Sequence, residues 1–182
     1  MNTYIALLRG INVAGQKKIK MVTLKKLCED MGFTSVTTYI QSGNIVFKSQ
    51  KTDVTVLSQS ISTGIQQQFG FEVPILVLTH DTLADIYNNN PFAHRITIGE
   101  IDSKKMYFTL LSTPPDPHAK KEIIVNSQEG EEFVITHKAV YFYAGIGYGK
   151  TKLSNNFFEK KLKTQATTRN LKTVLKLLDL SI

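Results

Sequence analysis

The sequence predicts an α+β protein built from two ferredoxin-like (split βαβ) subdomains with mainly antiparallel sheets. Three observations carry that prediction. Short apolar runs alternate with helically spaced apolar stripes. The first 79 residues read in the order βαββαβ, which is the split βαβ arrangement. A closely similar order, βαββαα, recurs from residue 105 onward, although identity between the halves is too weak to establish a duplication.

Each element has its own signal. Residues 4–8, Tyr-Ile-Ala-Leu-Leu, form a continuous apolar run and read as a buried strand. Leu24, Leu27, Cys28 and Met31 recur at helical spacing, which predicts a helix over residues 23–31 with Thr23 as N-cap and Gly32 as its stop. Residues 36–41 and 45–48 read as strands joined at Ser42-Gly43-Asn44, a tight turn because Gly and Asn tolerate positive φ. Val54, Leu57, Ile61, Ile65 and Phe69 stripe a second helix that Gly70 ends, and residues 73–78 read as a strand. A short helix over 82–87 is broken by Asn88-Asn89-Asn90-Pro91. Residues 106–111 echo the first strand, and a helix starting in Pro114-Pro115-Asp116-Pro117 runs to about residue 126. Strands follow over 132–137 and 140–143, then helices over 157–162 and 171–180, with Ala166-Thr167-Thr168-Arg169-Asn170 opening the last helical segment. The expected organisation is an N-terminal subdomain over 1–79, a connecting helix and loop over 80–104, and a C-terminal subdomain with a basic helical tail over 105–182.

Composition narrows the partners. The chain of 182 residues is 42% apolar, enough for a core, and carries 22 Lys+Arg against 15 Asp+Glu, a net charge of +7. That basicity favours anionic partners or simply a soluble surface. Residues 145–182 hold eight Lys+Arg and two acids, a net +6. Cys28 is the single cysteine, so neither an intrachain disulfide nor a cysteine-based metal cluster is available; its helical position predicts a buried, inert thiol. No signal-peptide pattern and no apolar run of about 18 to 20 residues occurs, so a cytoplasmic protein with no membrane partner is expected.

Several polar motifs lie where strands should stop. Arg9-Gly10-Ile11-Asn12-Val13, Lys20-Met21 and Thr38-Tyr39-Ile40-Gln41-Ser42-Gly43-Asn44 resemble the signature of a bacterial family catalogued as domain of unknown function 1697. Asn90-Pro91-Phe92 is similar to the family's mid-chain motif. Lys152-Leu153-Ser154-Asn155, Glu159-Lys160-Lys161-Leu162 and the Ala166–Asn170 segment are similar to its C-terminal block. The resemblance implies a two-subdomain α+β fold and no activity. Ala14 stands where the family more often has a second Gly, and Leu171 where Trp is common.

Ala144-Gly145-Ile146-Gly147-Tyr148-Gly149-Lys150-Thr151 fits a relaxed P-loop pattern, in which backbone N–H groups would cradle phosphates. The parallel strands and the metal-binding Asp of an NTPase do not follow it, so no ATPase activity is expected. A Gly-rich strand exit with Lys150 and Lys152 is still a fair anion site, the alternative being a solvated helical face. Arg9, directly after a strand, reads either as a fixed guanidinium for a phosphate or carboxylate, or as a structural ion pair. Asn12, Gln41 and Asn44 can orient a ligand or close a turn. His80, His94, His118 and His137 show no metal spacing, and no catalytic set is recognisable, so the enzyme question stays open. The expectation is a cytoplasmic anion-binding protein. Its ligand site would lie between the subdomains and use Arg9, Asn12, Lys20, Gln41, Asn44, Lys150, Lys152, Arg169 and Asn170, with no cofactor and no metal. The alternative is weak, sequence-nonspecific nucleic-acid binding, with Tyr39, Phe47, Tyr141 and Tyr143 as exposed strand aromatics.

Overall fold

The computed structural model describes residues 1–121 and 130–182. The chain divides into two compact units, residues Met1–Ala84 with Lys176–Ile182, and residues Asp85–Leu175.

In the first unit the order is β1 (Asn2–Leu8), α1 (Met21–Asp30), β2 (Thr34–Tyr39), β3 (Asn44–Ser49), α2 (Val54–Phe69) and β4 (Ile75–Thr79), leading into α3 (His80–Asn88). The strands form one antiparallel sheet in the order β2-β3-β1-β4. Register puts Tyr4 opposite Phe47 and Thr79, and Ala6 opposite Ile45 and Val77. That face carries the core, onto which α1 packs Leu24 and Cys28 and α2 packs Leu57, Ile61 and Ile65. Both helices therefore cover one face, as period-3.6 stripes over a strand demand. Phe33 stacks on Phe47 at 4.5 Å, and Tyr4 lies 5.8 Å from it. Phe47 is fully buried and so is not one of the exposed strand aromatics.

Helix ends show which local signals counted. Asp53 caps α2 by accepting from the Thr55 and Val56 backbone N–H groups at 2.8 and 3.3 Å, and Gly70 ends it at φ 78°. Thr23 does not cap α1. The helix starts two residues earlier, after Lys20, with no side-chain cap. The entry is fixed instead by Asn12, whose Oδ1 accepts from the Ile19 N–H at 2.9 Å. Asn44 is likewise a strand residue, paired with Tyr39 and Leu7; the left-handed residues of the β2–β3 turn are Ile40 and Gly43.

The second unit holds α4 (Ala93–Thr97), a short 3-10 turn (Ser103–Lys105), β5 (Met106–Leu111), α5 (Pro117–Lys121), β6 (Glu131–Ile135), β7 (Ala139–Ala144), α6 (Asn155–Leu162), β8 (Ala166–Asn170) and the start of α7 (Leu171–Leu180). The part of the α5 expectation beyond residue 121 lies outside the described residues. The sheet is again antiparallel, in the order β6-β7-β5-β8. Residues Ala166–Asn170 correct the sequence reading: they form a strand, not the opening of a helix, with Thr168 opposite Thr109 and Asn170 opposite Tyr107. The order is thus βαββαβ followed by α7. Two β-branched threonines at the centre of the segment suit a pleated edge. Helix α6 covers this sheet with Phe158 and Leu162, against Val140, Phe142 and Leu111. Tyr141, on the other face, is 2% exposed and donates its hydroxyl to the Ile86 carbonyl at 2.8 Å, so it too is a buried aromatic. Among the described residues no helix is long and apolar enough to cross a membrane.

Candidate functional site

The nine candidate residues fall into two groups, each within one unit. In the first unit, Arg9, Asn12, Lys20, Gln41 and Asn44 gather at the end of the sheet where β1 finishes and β2 turns into β3. The Asn12 amide is fully employed there. Its Nδ2 donates to the Ile19 carbonyl at 2.9 Å and to the Gln41 carbonyl at 2.8 Å, while Oδ1 accepts from the Ile19 N–H. Asn44 is fully buried; its Nδ2 donates to the Tyr39 carbonyl at 2.9 Å and to the Ser42 hydroxyl at 3.1 Å. Arg9 is half-buried, and its backbone N–H donates to the Pro74 carbonyl at 3.0 Å. Lys20 and Gln41 are exposed. The two asparagines are therefore scaffold for the loops around them.

In the second unit, β7 and β8 both run antiparallel to β5 and end beside its first residues, Tyr143 pairing with Met106 and Asn170 with Tyr107. The loop after β7 turns tightly, with Gly147 N–H donating to the Ala144 carbonyl at 2.7 Å and Lys150 N–H to the Gly147 carbonyl at 3.0 Å. It leaves Lys150 and Lys152 exposed, and neither has an ion pair among the described residues. Tyr148 anchors the loop: its ring stacks on Tyr107 at 4.4 Å, and its hydroxyl accepts from the Asn155 N–H at 3.2 Å.

Arg169 is 8% exposed on β8, where Nη1 donates to the Thr167 hydroxyl at 2.8 Å and to the Thr168 carbonyl at 2.9 Å. Burial pulls the guanidinium down to about 10, which leaves it cationic at neutral pH. Asn170 accepts from the Thr173 N–H at 2.9 Å, the geometry of an N-cap for α7.

The P-loop resemblance ends at this geometry. Thr151, where a metal-binding hydroxyl would stand, accepts from the Leu153 N–H at 2.9 Å. The helix opens only at Asn155, capped by Ser154, and every strand pairing among the described residues is antiparallel. No group of three or more His, Cys, Asp or Glu among the described residues could hold a metal ion.

Sequence reasoning passed over Val13, Lys18 and Ile40, all exposed beside the Asn12–Gln41 contact. Ile40 carries no sequence signal, because an isoleucine before Gln-Ser-Gly reads as the end of a strand. Its distinction is a φ of 49°, which only the folded backbone reveals.

The model of a family described as "Protein of unknown function (DUF1697)" matches residues 1–141. No curated protein matches the chain. Among solved structures, the conserved bacterial protein SP0830 from Streptococcus pneumoniae is similar over 99% of this chain and 98% of its own, with a TM-score of 0.74 and 22% sequence identity. A likeness at that identity concerns the fold alone.

Proposed function

The chain belongs to the DUF1697 family of proteins of unknown function, and from that premise we propose an anion-binding protein of the cytoplasm whose contact surface includes the lysines of the loop after β7. The observation that supports this most is the state of Lys150 and Lys152. Both stand exposed at a sheet end without an acidic partner among the described residues, whereas Lys163 lies 3.6 Å from Asp116 and Lys176 lies 2.6 Å from Asp179. Arg169 adds a fixed, largely buried positive charge on β8, which lies on the other side of β5 from β7. Multidentate phosphate or carboxylate is the chemistry such a surface takes.

Titration of the full chain with inorganic tripolyphosphate, followed by amide chemical shifts, tests the reading. Perturbations should centre on the loop after β7, and Lys150→Ala/Lys152→Ala should weaken binding by about tenfold or more, the combined loss of two solvent-exposed charge-assisted contacts. Unchanged binding by the double variant removes the reading.

A second reading is weak, nonspecific nucleic-acid binding. It draws on Lys160 and Lys161, exposed in the last turn of α6. Two of its four stacking aromatics, Phe47 and Tyr141, are buried, which leaves electrostatics as its main support. We also propose that each unit is a ferredoxin-like fold and that the pair arose by duplication. The support is the shared βαββαβ order and the shared arrangement in which the first and third strands of each unit lie at the centre of its sheet.

A further inference from the structure

We propose that the two adjoining tips of the first unit, residues 12–18 and 40–43, form a preorganised docking surface for an acidic protein segment that carries an apolar anchor. These tips belong to the first unit, whereas Lys150 and Lys152 belong to the second, and the docking role does not rest on the function proposed for those lysines.

The first tip is a miniature hairpin. Gln16 N–H donates to the Val13 carbonyl at 2.9 Å and Asn12 N–H to the Lys17 carbonyl at 3.2 Å. Its central residues, Ala14 and Gly15, both sit at positive φ, 48° and 76°, which is the signature of a primed two-residue turn. Residues 13–18 are all exposed, Val13 at 61%.

The second tip is the β2–β3 turn, where Ile40 sits at φ 49° and is 49% exposed. A β-branched residue in that region is a true outlier, and it persists only where the surroundings over-determine it. Three hydrogen bonds do so here. Asn44 Nδ2 holds the Tyr39 carbonyl at 2.9 Å, Asn12 Nδ2 the Gln41 carbonyl at 2.8 Å, and Leu8 N–H the Gly43 carbonyl at 2.8 Å.

Asn12 thus belongs to one tip and clamps the other. Of the six non-glycine residues at positive φ among the described residues, four (Asn12, Ala14, Lys17 and Ile40) lie in these two tips. The fold spends strain to keep two branched aliphatic side chains in water on a rigid support, which is the arrangement that lowers the ordering cost of binding.

The chemistry of the surface selects the partner. Val13 and Ile40 supply apolar anchors, Gln16 and Gln41 supply amides, and Lys18 and Lys20 supply exposed charge; Lys17 is held by the Glu72 carbonyl at 2.6 Å. No acidic residue occurs in segments 9–20 or 33–48. A second copy of the same basic tip is repelled, and a phosphate backbone offers Val13 and Ile40 nothing apolar. Carboxylates flanking an apolar side chain satisfy every group.

The test is selection of phage-displayed random dodecapeptides on the full chain, followed by affinity measurement of synthetic peptides at low and high salt. Enriched peptides should share Asp or Glu around one aliphatic or aromatic residue. Val13→Asp and Ile40→Asp should each weaken them by about tenfold, the loss of an interface anchor. Lys18→Ala/Lys20→Ala should weaken them less and flatten the salt dependence. Ile40→Gly is the decisive variant. It relieves the left-handed strain, so it should melt at a higher temperature and still bind more weakly. Enriched peptides without acidic residues, peptides bound equally well by Ile40→Gly, or no enrichment at all would overturn the proposal. So would Ile40-dependent binding to phosphatidylglycerol–phosphatidylcholine vesicles or duplex DNA in place of acidic peptides.

Discussion

Burial is the main determinant of the chemistry of Cys28. It lies fully inside the core under α1, and desolvation, helped by the nearby Glu29 charge, pushes the thiol up to about 12. The native protein should therefore resist a thiol-specific reagent at mildly alkaline pH and react fully in denaturant; rapid native labelling would contradict the burial. Gly43 and Ala14 form a contrasting pair. Gly43 sits at φ 77°, and a Cβ there would lie 2.6 Å from the Leu8 Cβ and 2.7 Å from the Ile11 Cδ1. Gly43→Ala should cost about 3 kcal/mol, combining left-handed strain with overpacking. Ala14 already occupies the left-handed region at φ 48° on an exposed tip. Ala14→Gly should stabilise by about 0.5 kcal/mol, the strain relieved less the extra chain entropy of glycine. Chemical denaturation of the two variants checks both signs.

The segment containing α4 shows how an element without a long apolar stripe is held in place. Phe92 is buried, and Asn90 Oδ1 accepts from its N–H at 3.0 Å, so the Asn-Pro-Phe motif builds a turn. Arg95 then donates to Glu100 at 2.6 Å and to both carboxylate oxygens of Glu132 on β6 at 2.8 and 3.0 Å. The Arg95 hydrogen bonds hold the Glu132 carboxyl below its ordinary range. A carboxyl whose folded value lies below its unfolded value contributes stability above the unfolded value and loses it as pH falls through the folded one. Acidification through the carboxylate range should therefore lower the melting temperature. Glu132→Gln should make that decline shallower, by a small amount because the pair is partly exposed. An acid limb identical in wild type and Glu132→Gln would show that the clamp contributes nothing.

At the scale of the molecule, two antiparallel sheets of four strands each share one strand arrangement, and net charge is concentrated toward the C-terminal sequence. Part of that charge has ordinary structural work. Lys160 and Lys161 close α6 where cations complement the helix dipole, and Lys163 occupies a left-handed C-cap at φ 54° beside Asp116. Lys160→Ala/Lys161→Ala is accordingly a cleaner probe than any variant that includes Lys163. If the tail binds nucleic acid, affinity for mixed-sequence RNA or DNA should fall with salt, by about 0.7 to 0.9 in log–log slope per phosphate neutralised. The double variant should flatten that slope for all sequences alike. Equal binding across the salt range would leave these lysines as helix-terminal charges only.

What the sequence determined by itself was the set of buried elements. Residues 4–8 form a continuous apolar run and residues 106–111 one interrupted only by Thr109, and the stripe from Val54 to Phe69 has a period no strand can use, so local pattern and final burial agree there. The stop at Gly70 is equally local. Tertiary structure decided the rest, for a physical reason each time. Ala166–Asn170 becomes a strand because β5 has an open edge that takes Thr167 and Thr168 in register, a partner absent from local sequence. Thr23 loses the α1 cap because Asn12, eleven residues away, fixes the helix entry through Ile19. Asn12, Asn44 and Asn170 carry amides suited to a ligand, yet long-range backbone contacts and a helix end engage them inside the fold. The strained Ile40 has no counterpart in the sequence at all, because its conformation exists only where Asn12, Asn44 and Leu8 hold three carbonyls of one turn at once.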